Sequence, residues 1–272
     1  MRKSGQTMHL KRWLTALIAI PILIYIIGFG PRYLFHALLC GAAIVSFIEF
    51  YSITGTAGSR FILYGNSFLI FSLFAVIYMR QVMFVPIITV LWVFLPMGYL
   101  MMHKPTPGKE LTAEIGRAVF GPVYVSLPLA MLALIDFRPK GSIWVFFLLA
   151  VIFASDTGAF YFGRQFGKHK LHKVVSPGKS WEGAVGGLVS SVAAAFLFLL
   201  VSRLHSLDTG IIILTLLLSA MGQIGDLSES LLKRNHGIKD SGSILPGHGG
   251  ILDRIDGLLF AIPVLFGYLL FQ

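Results

Sequence analysis

The chain has 272 residues, of which 56% are hydrophobic and only 12% are charged. Its mean hydropathy is +0.81, whereas soluble domains carry about 25% charged residues, so composition argues against a soluble globular protein. The single cysteine, Cys40, excludes an internal disulfide framework and a cysteine-based metal site. The apolar residues form long blocks between short polar gaps, which predicts an all-α polytopic membrane protein.

Nine apolar blocks are each near the length that crosses ~30 Å of hydrocarbon at 1.5 Å per residue. The first contains Pro21 and is not followed by a small-residue cleavage site, so we interpret it as a retained helix. The last two are short unless the eighth helix continues into the polar stretch beyond it. The blocks are 12–29, 33–53, 61–79, 82–102, 116–136, 142–163, 183–202, 210–226 and 257–271.

We expect one integral membrane domain over residues 1–272, with helices 1–5 in 1–136 and catalytic helices 6–9 in 137–272. Nine spans put the termini on opposite sides, and 17 of the 22 Lys and Arg residues then lie on the side of the N-terminus. The positive-inside rule places that side in the cytoplasm. The orientation of the helices in the membrane accounts for the basic residues in the short loops. It does not account for loops 164–182 and 227–256, which mix basic residues with acids.

Asp156 falls inside the sixth apolar block. An unpaired charge costs at least ~2.5 kcal/mol at the bilayer centre, so an ionisable residue there is a functional candidate by default. The alternative is a structural pairing of Asp156 with a lysine of the following loop.

The loop after this block combines basic side chains with the start of a helix. Arg164 and Lys173 belong to a run of four basic residues among glycines, and the segment SPGKSWEG follows. Ser176 or Ser180 could cap the seventh helix. Hydroxyls, lysines and backbone amides at a helix N-terminus form a phosphate site.

Lys179 and Glu182 lie in the same segment, with Glu182 in the first turn of the predicted helix. The run GKS lacks the upstream glycine and the preceding strand of a Walker A motif, so we reject that interpretation. His169 and His172 could form a metal pair, but in a basic loop they are more typical of solvated side chains.

If the eighth helix runs on, Asp226, Glu229, Ser230 and Lys233 share one face, because they are spaced by three, four and seven positions. The alternative is a solvated surface helix with salt bridges. This polar face begins directly at the end of a membrane span, which favours a functional site over a solvated surface. A glycine-rich turn then returns the chain to the ninth helix.

Asp253 and Asp256 are three residues apart at the start of that helix and so lie on one face. Acids from two helix ends, flanked by basic loops, suit a hard cation with oxygen ligands, for which we predict Mg²⁺. We expect Asp226 and Asp253 to be the principal ligands, supported by Glu229 and Asp256. The pattern indicates phosphoryl or nucleotidyl transfer at the membrane.

The second loop closely resembles the signature of the phosphatidate cytidylyltransferases, also called CDP-diacylglycerol synthases. The upstream segments DTGAFYFGRQFGK and SPGKSWEG also resemble that family, in the right order. The resemblance is strongest over 155–257, and the N-terminal half is similar only in hydropathy. The signature residues are Ser230, Lys233-Arg234, Lys239-Asp240, His248-Gly249-Gly250 and Asp253-Arg254-Ile255-Asp256.

The resemblance implies that CTP and phosphatidate condense to CDP-diacylglycerol and pyrophosphate, in phospholipid biosynthesis. It implies Mg²⁺, a second, monovalent cation (K⁺), nine helices and a homodimer. The expected location is the bacterial inner membrane among its lipids, with the active site facing the cytoplasm and no nucleic-acid partner.

Loop chemistry and resemblance together assign the expected site residues. Those expected to be catalytic are Asp226, Asp253, Lys233, Arg234 and Asp256. Those expected to bind substrate are Asp156, Arg164, Lys173, Ser176, Lys179, Ser180, Glu182, Ser230, Lys239, Asp240, His248, Gly249, Gly250 and Arg254.

Two other functions remain open at this stage. A CTP-dependent lipid-alcohol kinase shares some membrane architecture, but the complete DRxD block argues against it. An ion-coupled transporter also uses intramembrane acids and broken helices, but it would be expected to show repeat symmetry, which the sequence lacks. The CDP-alcohol phosphotransferase motif is incomplete, since DRIDGLLFA lacks its arginine.

Overall fold

The computed structural model describes residue 17 and residues 19–54, 59–103, 108–242 and 249–272. Within these residues the chain is mostly helical. The helices are α1 (Ala19–Gly28), α2 (Arg32–Ile53), α3 (Arg60–Tyr78), α4 (Val85–His103), α5 (Lys109–Asp136), α6 (Gly141–Phe166), α7 (Trp181–Ser202), α8 (Thr209–Asn235) and α9 (Leu252–Leu270). A 3₁₀ turn (Val82–Phe84) leads into α4, and two short strands, β1 (Lys170–His172) and β2 (Ser176–Ser180), lie between α6 and α7.

Helices α2 to α8 are long and apolar enough to cross a membrane, which gives seven candidate spans over the described ranges. The chain is therefore a helical integral membrane protein. The described part of α1 is shorter, and α9 has three charged residues near its start. The count of nine spans stays a prediction.

Three helices extend at least five residues beyond their predicted apolar blocks. The eighth does continue, to Asn235; α9 begins at Leu252 and α5 at Lys109. The 27 residues of α8 give a length of about 40 Å, which exceeds the ~30 Å of hydrocarbon. Hydropathy marks only the part of a helix inside the hydrocarbon, whereas backbone hydrogen bonds continue into the interface.

The segment between α6 and α7 forms a small antiparallel hairpin, which the helical prediction did not include. Lys170 is opposite Ser180 and His172 is opposite Ser176, with an irregularity between the two pairs. Ser180 is then the N-cap of α7, where its hydroxyl accepts a hydrogen bond from the Gly183 amide at 3.1 Å. Of the two serines predicted as alternative caps of this helix, Ser180 is the cap, while Ser176 begins β2.

The chain divides into two compact units. The first, unit 1, comprises Met1–Leu134 and Asp240–Leu252, and the second, unit 2, comprises Ile135–Lys239 and Asp253–Gln272. In unit 1, α3 is tied to α5 by a hydrogen bond from the Asn66 side-chain amide to the Ala118 carbonyl at 3.1 Å. Asn66 is fully buried, so this bond satisfies its amide nitrogen, which would otherwise be costly within the helix layer.

In unit 2, α6 packs closely against α7, and α8 packs against both. Polar contacts between these helices are short: the Ser155 and Ser219 hydroxyls are 2.7 Å apart, and the Gln223 amide donates to the Ala184 carbonyl at 3.2 Å. Small residues and interhelical hydrogen bonds are the usual means by which membrane helices approach closely. This packing holds Asp156 on α6, the hairpin before α7 and the acids of α8 within one unit.

Candidate active site

Acidic side chains from α6, α8 and α9 lie close together in unit 2. The charges of Asp226 and Asp256 both act on Asp156, and the charge of Asp256 also acts on Glu229. Glu229 is only 1% exposed, Asp226 and Asp256 are partly buried, and Asp156 is exposed. Carboxylates that act on one another in this way concentrate negative charge on one side of the unit.

Two lysines pair with these acids. The Lys179 ammonium, on β2, lies 2.6 Å from the Asp226 carboxylate. The Lys233 ammonium lies 2.8 Å from Glu229 and 2.6 Å from Asp253, so it links α8 to α9. We call the carboxylates of Asp156, Asp226, Glu229, Asp253 and Asp256 the acidic cluster. Among the described residues it faces these two ammonium groups, and its carboxylates outnumber them.

The acidic cluster explains why charged residues precede the last apolar segment. Asp253 is paired with Lys233, and Asp256 lies one helical turn further along the same face. The Ser230 hydroxyl also donates weakly to Asp226, at 3.4 Å. The predicted polar face of α8 is therefore formed and is met by acids of α9.

The donor set fits a hard cation. The carboxylates of the acidic cluster outnumber its two ammonium groups. A divalent cation would neutralise the remaining negative charge. In the parts of the chain described by the structure, no group of three or more His, Cys, Asp or Glu side chains is arranged to hold a metal ion by itself. Mg²⁺ commonly takes one or two carboxylates and completes its shell with water and substrate phosphates. A partial set of protein ligands is therefore compatible with a cation that binds together with a nucleotide.

Glu182 ties the hairpin to the first turn of α7. Its carboxylate accepts hydrogen bonds from the backbone amides of Lys168 at 3.1 Å and His169 at 3.2 Å. It also lies 2.6 Å from the His169 imidazole, which is exposed. His172 instead accepts a hydrogen bond from the Val175 amide at 3.2 Å. The two histidines thus have separate partners and do not form a pair.

Two open cavities meet at Trp181. One, of about 500 Å³, is lined by Trp181 and the basic segment, namely Lys168, His169, Lys170 and Lys173. The other, of about 400 Å³, has mostly apolar walls from α6 and α7, namely Phe162, Phe166, Trp181, Glu182, Val185, Gly186 and Val189. A basic cavity next to an apolar one matches a molecule that has an anionic end and a hydrocarbon end.

The remaining expected site residues of unit 2 lie at its surface. Arg164 is exposed on the last turn of α6, and Lys239 is exposed after α8. Arg234 donates to the Ile238 carbonyl at 3.3 Å, so it helps to terminate α8. Arg254 is exposed on the first turn of α9.

Three expected substrate-binding residues, Asp240, Gly249 and Gly250, belong to unit 1. His248 lies outside the described residues. The structure therefore groups the expected metal ligands with Asp156, Lys179, Ser230 and Lys233, and it places Asp240, Gly249 and Gly250 in the other compact unit.

Glu49 on α2 was not identified from the sequence. It is 4% exposed, and its carboxylate accepts hydrogen bonds from the Ser241 hydroxyl at 3.2 Å and the amides of Ile251 and Leu252 at 3.0 and 2.8 Å. The signal was present, because Glu49 is an acid within an apolar block, as Asp156 is.

The model of the Cytidylyltransferase family matches residues 10–272. The chain belongs to this family. Among its curated relatives are phosphatidate cytidylyltransferases from Staphylococcus saprophyticus, 46% identical over 132 residues (48% of this chain and 51% of the relative), and Bacillus subtilis, 40% identical over 154 residues (56% and 57%). The enzyme of that name from Haemophilus influenzae is 45% identical over 135 residues (48% and 46%). The chain thus spans about half the length of the curated relatives it matches. Membership of the Cytidylyltransferase family agrees with the resemblance found in loops 164–182 and 227–256.

Proposed function

We propose that the chain is a phosphatidate cytidylyltransferase, which condenses CTP with phosphatidate to give CDP-diacylglycerol and pyrophosphate. The observation that carries this proposal is the acidic cluster of unit 2, which Lys179 and Lys233 contact directly. Membership of the Cytidylyltransferase family and the names of the bacterial relatives support the same reaction.

The reaction makes modest demands on acid–base chemistry. A phosphate oxygen of phosphatidate attacks the α-phosphorus of CTP, and the bond from that phosphorus to the bridging oxygen breaks, so that pyrophosphate leaves with the bonding electrons. The nucleophile is already an anion and needs no strong general base. The barrier lies in bringing two polyanions together and in the charge that develops on the leaving group. Lys179 and Lys233 provide positive charge at the acidic cluster, where they can orient the phosphates.

Asp226 and Asp253, supported by Glu229 and Asp256, would hold Mg²⁺, and a monovalent cation such as K⁺ would share the same acids. When bound, Mg²⁺ would neutralise phosphate charge on CTP and on pyrophosphate. The chain's own contribution is to fix the carboxylates. Lys233 bridges Glu229 and Asp253, so it holds the acids of α8 and α9 at one separation.

The two cavities at Trp181 suit phosphatidate. Its phosphate would lie among Lys168, Lys170 and Lys173, and an acyl chain would lie in the apolar cavity between α6 and α7. Charge complementarity favours an anionic lipid over a neutral one. Trp181 is 59% exposed between the two cavities, and tryptophan is enriched at the level of lipid headgroups.

The charge distribution supports nine spans with a cytoplasmic site in the bacterial inner membrane, and we propose a homodimer as the family resemblance implies. Cysteine labelling in intact cells tests the topology, in a Cys40→Ser background. A cysteine that replaces Gln272 should react with an impermeant reagent from outside, and one that replaces Lys170 should not. The reverse pattern would contradict this topology.

Transfer of label from CTP to lipid tests the activity and separates it from its alternatives. CTP labelled at the α-phosphorus should give a chloroform-soluble product with phosphatidate as acceptor. A lipid-alcohol kinase would instead transfer label from the γ-phosphorus to a lipid alcohol. A transporter would transfer neither label, and that outcome would overturn the proposal.

A further inference from the structure

Glu49 is a buried carboxylate whose described partners include neutral donors at both ends of one loop. Ser241 lies at the start of this loop, and Ile251 and Leu252 lie at its end; we call its described residues, 241–242 and 249–252, the glycine loop. One side chain on α2 thus contacts two points of the chain that are about ten residues apart. All of these groups belong to unit 1.

The contacts meet a specific need at the beginning of α9. The first amides of a helix have no partner within the helix, and burying them unsatisfied is costly. Leu252 is the first residue of α9, and its amide and that of Ile251 donate to the two oxygens of the Glu49 carboxylate. Glu49 therefore caps Leu252, the first residue of α9, which belongs to the same unit.

The glycines of the loop allow this approach. A Cβ atom on Gly242 would lie 2.6 Å from one Glu49 carboxylate oxygen, and a Cβ on Gly250 would lie 2.5 Å from the other. Real Cβ atoms do not come this close, so a side chain at either position would displace the carboxylate. Glycine at positions 242 and 250 thus has a structural cause, which is close packing of backbone around an acid.

We propose that Glu49 is a positioning residue, which fixes the glycine loop for substrate binding. This inference rests on the proposed function, because Asp240, Gly249 and Gly250 are expected to contact substrate. A carboxylate is required because it offers acceptors only. A glutamine would present an amide N–H group toward backbone N–H donors, and one of the contacts would become a repulsion between two donors.

Two substitutions at Glu49 test the proposal, with one control. Glu49→Gln keeps size and removes acceptor capacity, whereas Glu49→Asp keeps the charge with a shorter reach. Glu114→Gln is the control, because Glu114 is similarly buried, at 7% exposure on α5 in the same unit. The two readouts are amide hydrogen exchange of peptides that cover 240–252, and kcat and KM for CTP and phosphatidate.

In Glu49→Gln we expect exchange at Ile251 and Leu252 to be at least about tenfold faster, since bonds to a charged acceptor are lost. We expect kcat to fall by at least about tenfold as well, since misplacement of positioning groups costs about that much or more. Glu49→Asp should recover part of both losses, and Glu114→Gln should match the wild-type protein in both.

The outcomes separate this inference from the proposed function. If the wild-type protein transfers no label from CTP, the proposed function fails, and the exchange measurement still tests the capping. Unchanged exchange in Glu49→Gln would overturn the capping. Faster exchange with wild-type kcat and KM would overturn the positioning role. If Glu49→Gln does not fold, Ser241→Ala removes one donor only, and it should give smaller changes in the same direction.

Discussion

The two units each contain acids in an apolar protein, but the acids have different partners. In unit 2, the acidic cluster includes carboxylates next to one another, and only part of its charge is matched by Lys179 and Lys233. In unit 1, Glu49 accepts hydrogen bonds from backbone amides and a hydroxyl. The groups that contact each carboxylate therefore indicate its role. Crowded carboxylates are suited to a cation and to phosphates, whereas a carboxylate surrounded by neutral donors is suited to hold backbone.

The largest expected effect is on activity, in Asp253→Asn. The substitution keeps the shape but removes charge that a divalent cation needs, so cytidylyl transfer should fall by about two orders of magnitude or more. The thermal midpoint should stay near the wild-type value or rise, because a group of like charges has been diluted. Specific activity and thermal midpoint measured on the same purified sample provide the check. If stability fell first and activity fell only in proportion to folded protein, the acid would be a structural salt-bridge partner instead.

The next effect is on stability, in Lys233→Met. This change leaves Glu229 and Asp253 without their shared ammonium in a nearly buried position, which should cost roughly 3 kcal/mol. Added Mg²⁺ should recover part of the lost thermal midpoint, because a cation can replace the missing charge. Glu49→Gln should show no such recovery with Mg²⁺, since Glu49 accepts its hydrogen bonds from neutral donors among the described residues. Equal recovery in both variants would remove the distinction between the two kinds of acid.

Lys179→Ala should have a smaller effect. Lys179 reaches Asp226 from the hairpin, and both side chains are partly exposed, so their pairing adds at most about 1 kcal/mol to stability. The apparent KM for CTP or phosphatidate should rise several-fold and kcat should fall, while the protein remains folded. Steady-state kinetics in detergent–lipid micelles measure both. Kinetics identical to wild type would show that this lysine serves only to set topology.

Ser180→Ala should have the smallest effect on activity and a modest effect on stability. Its hydroxyl caps α7, and loss of such a cap costs ~1 kcal/mol. Substitution by Asn, which is also a good cap, should restore most of the lost thermal midpoint. A larger loss of activity than of stability in Ser180→Ala would indicate that the hydroxyl also contacts substrate, as the sequence pattern suggested.

Local spacing predicted one part of the site well. The face of α8 with Asp226, Glu229 and Lys233 follows from helical periodicity, and the structure forms it. Long-range partners could not be predicted in this way, because a hydropathy profile reports which segments prefer lipid and not which side chains meet. Glu49 and Leu252 are 203 positions apart in sequence, and only folding reveals that one caps the other.

The most direct test of the central claim is the Mg²⁺ dependence of cytidylyl transfer from α-labelled CTP, compared between the wild-type protein, Asp226→Asn and Asp208→Asn. Asp208 is a matched control, because it is an acid that caps the other end of α8, and asparagine caps a helix about as well as aspartate. We expect Asp208→Asn to follow the wild-type titration, and Asp226→Asn to need far more Mg²⁺ and to remain slow at saturation. Near-normal turnover of Asp226→Asn at saturating CTP, with unaltered Mg²⁺ dependence, would contradict the assignment of the acidic cluster as the cation site.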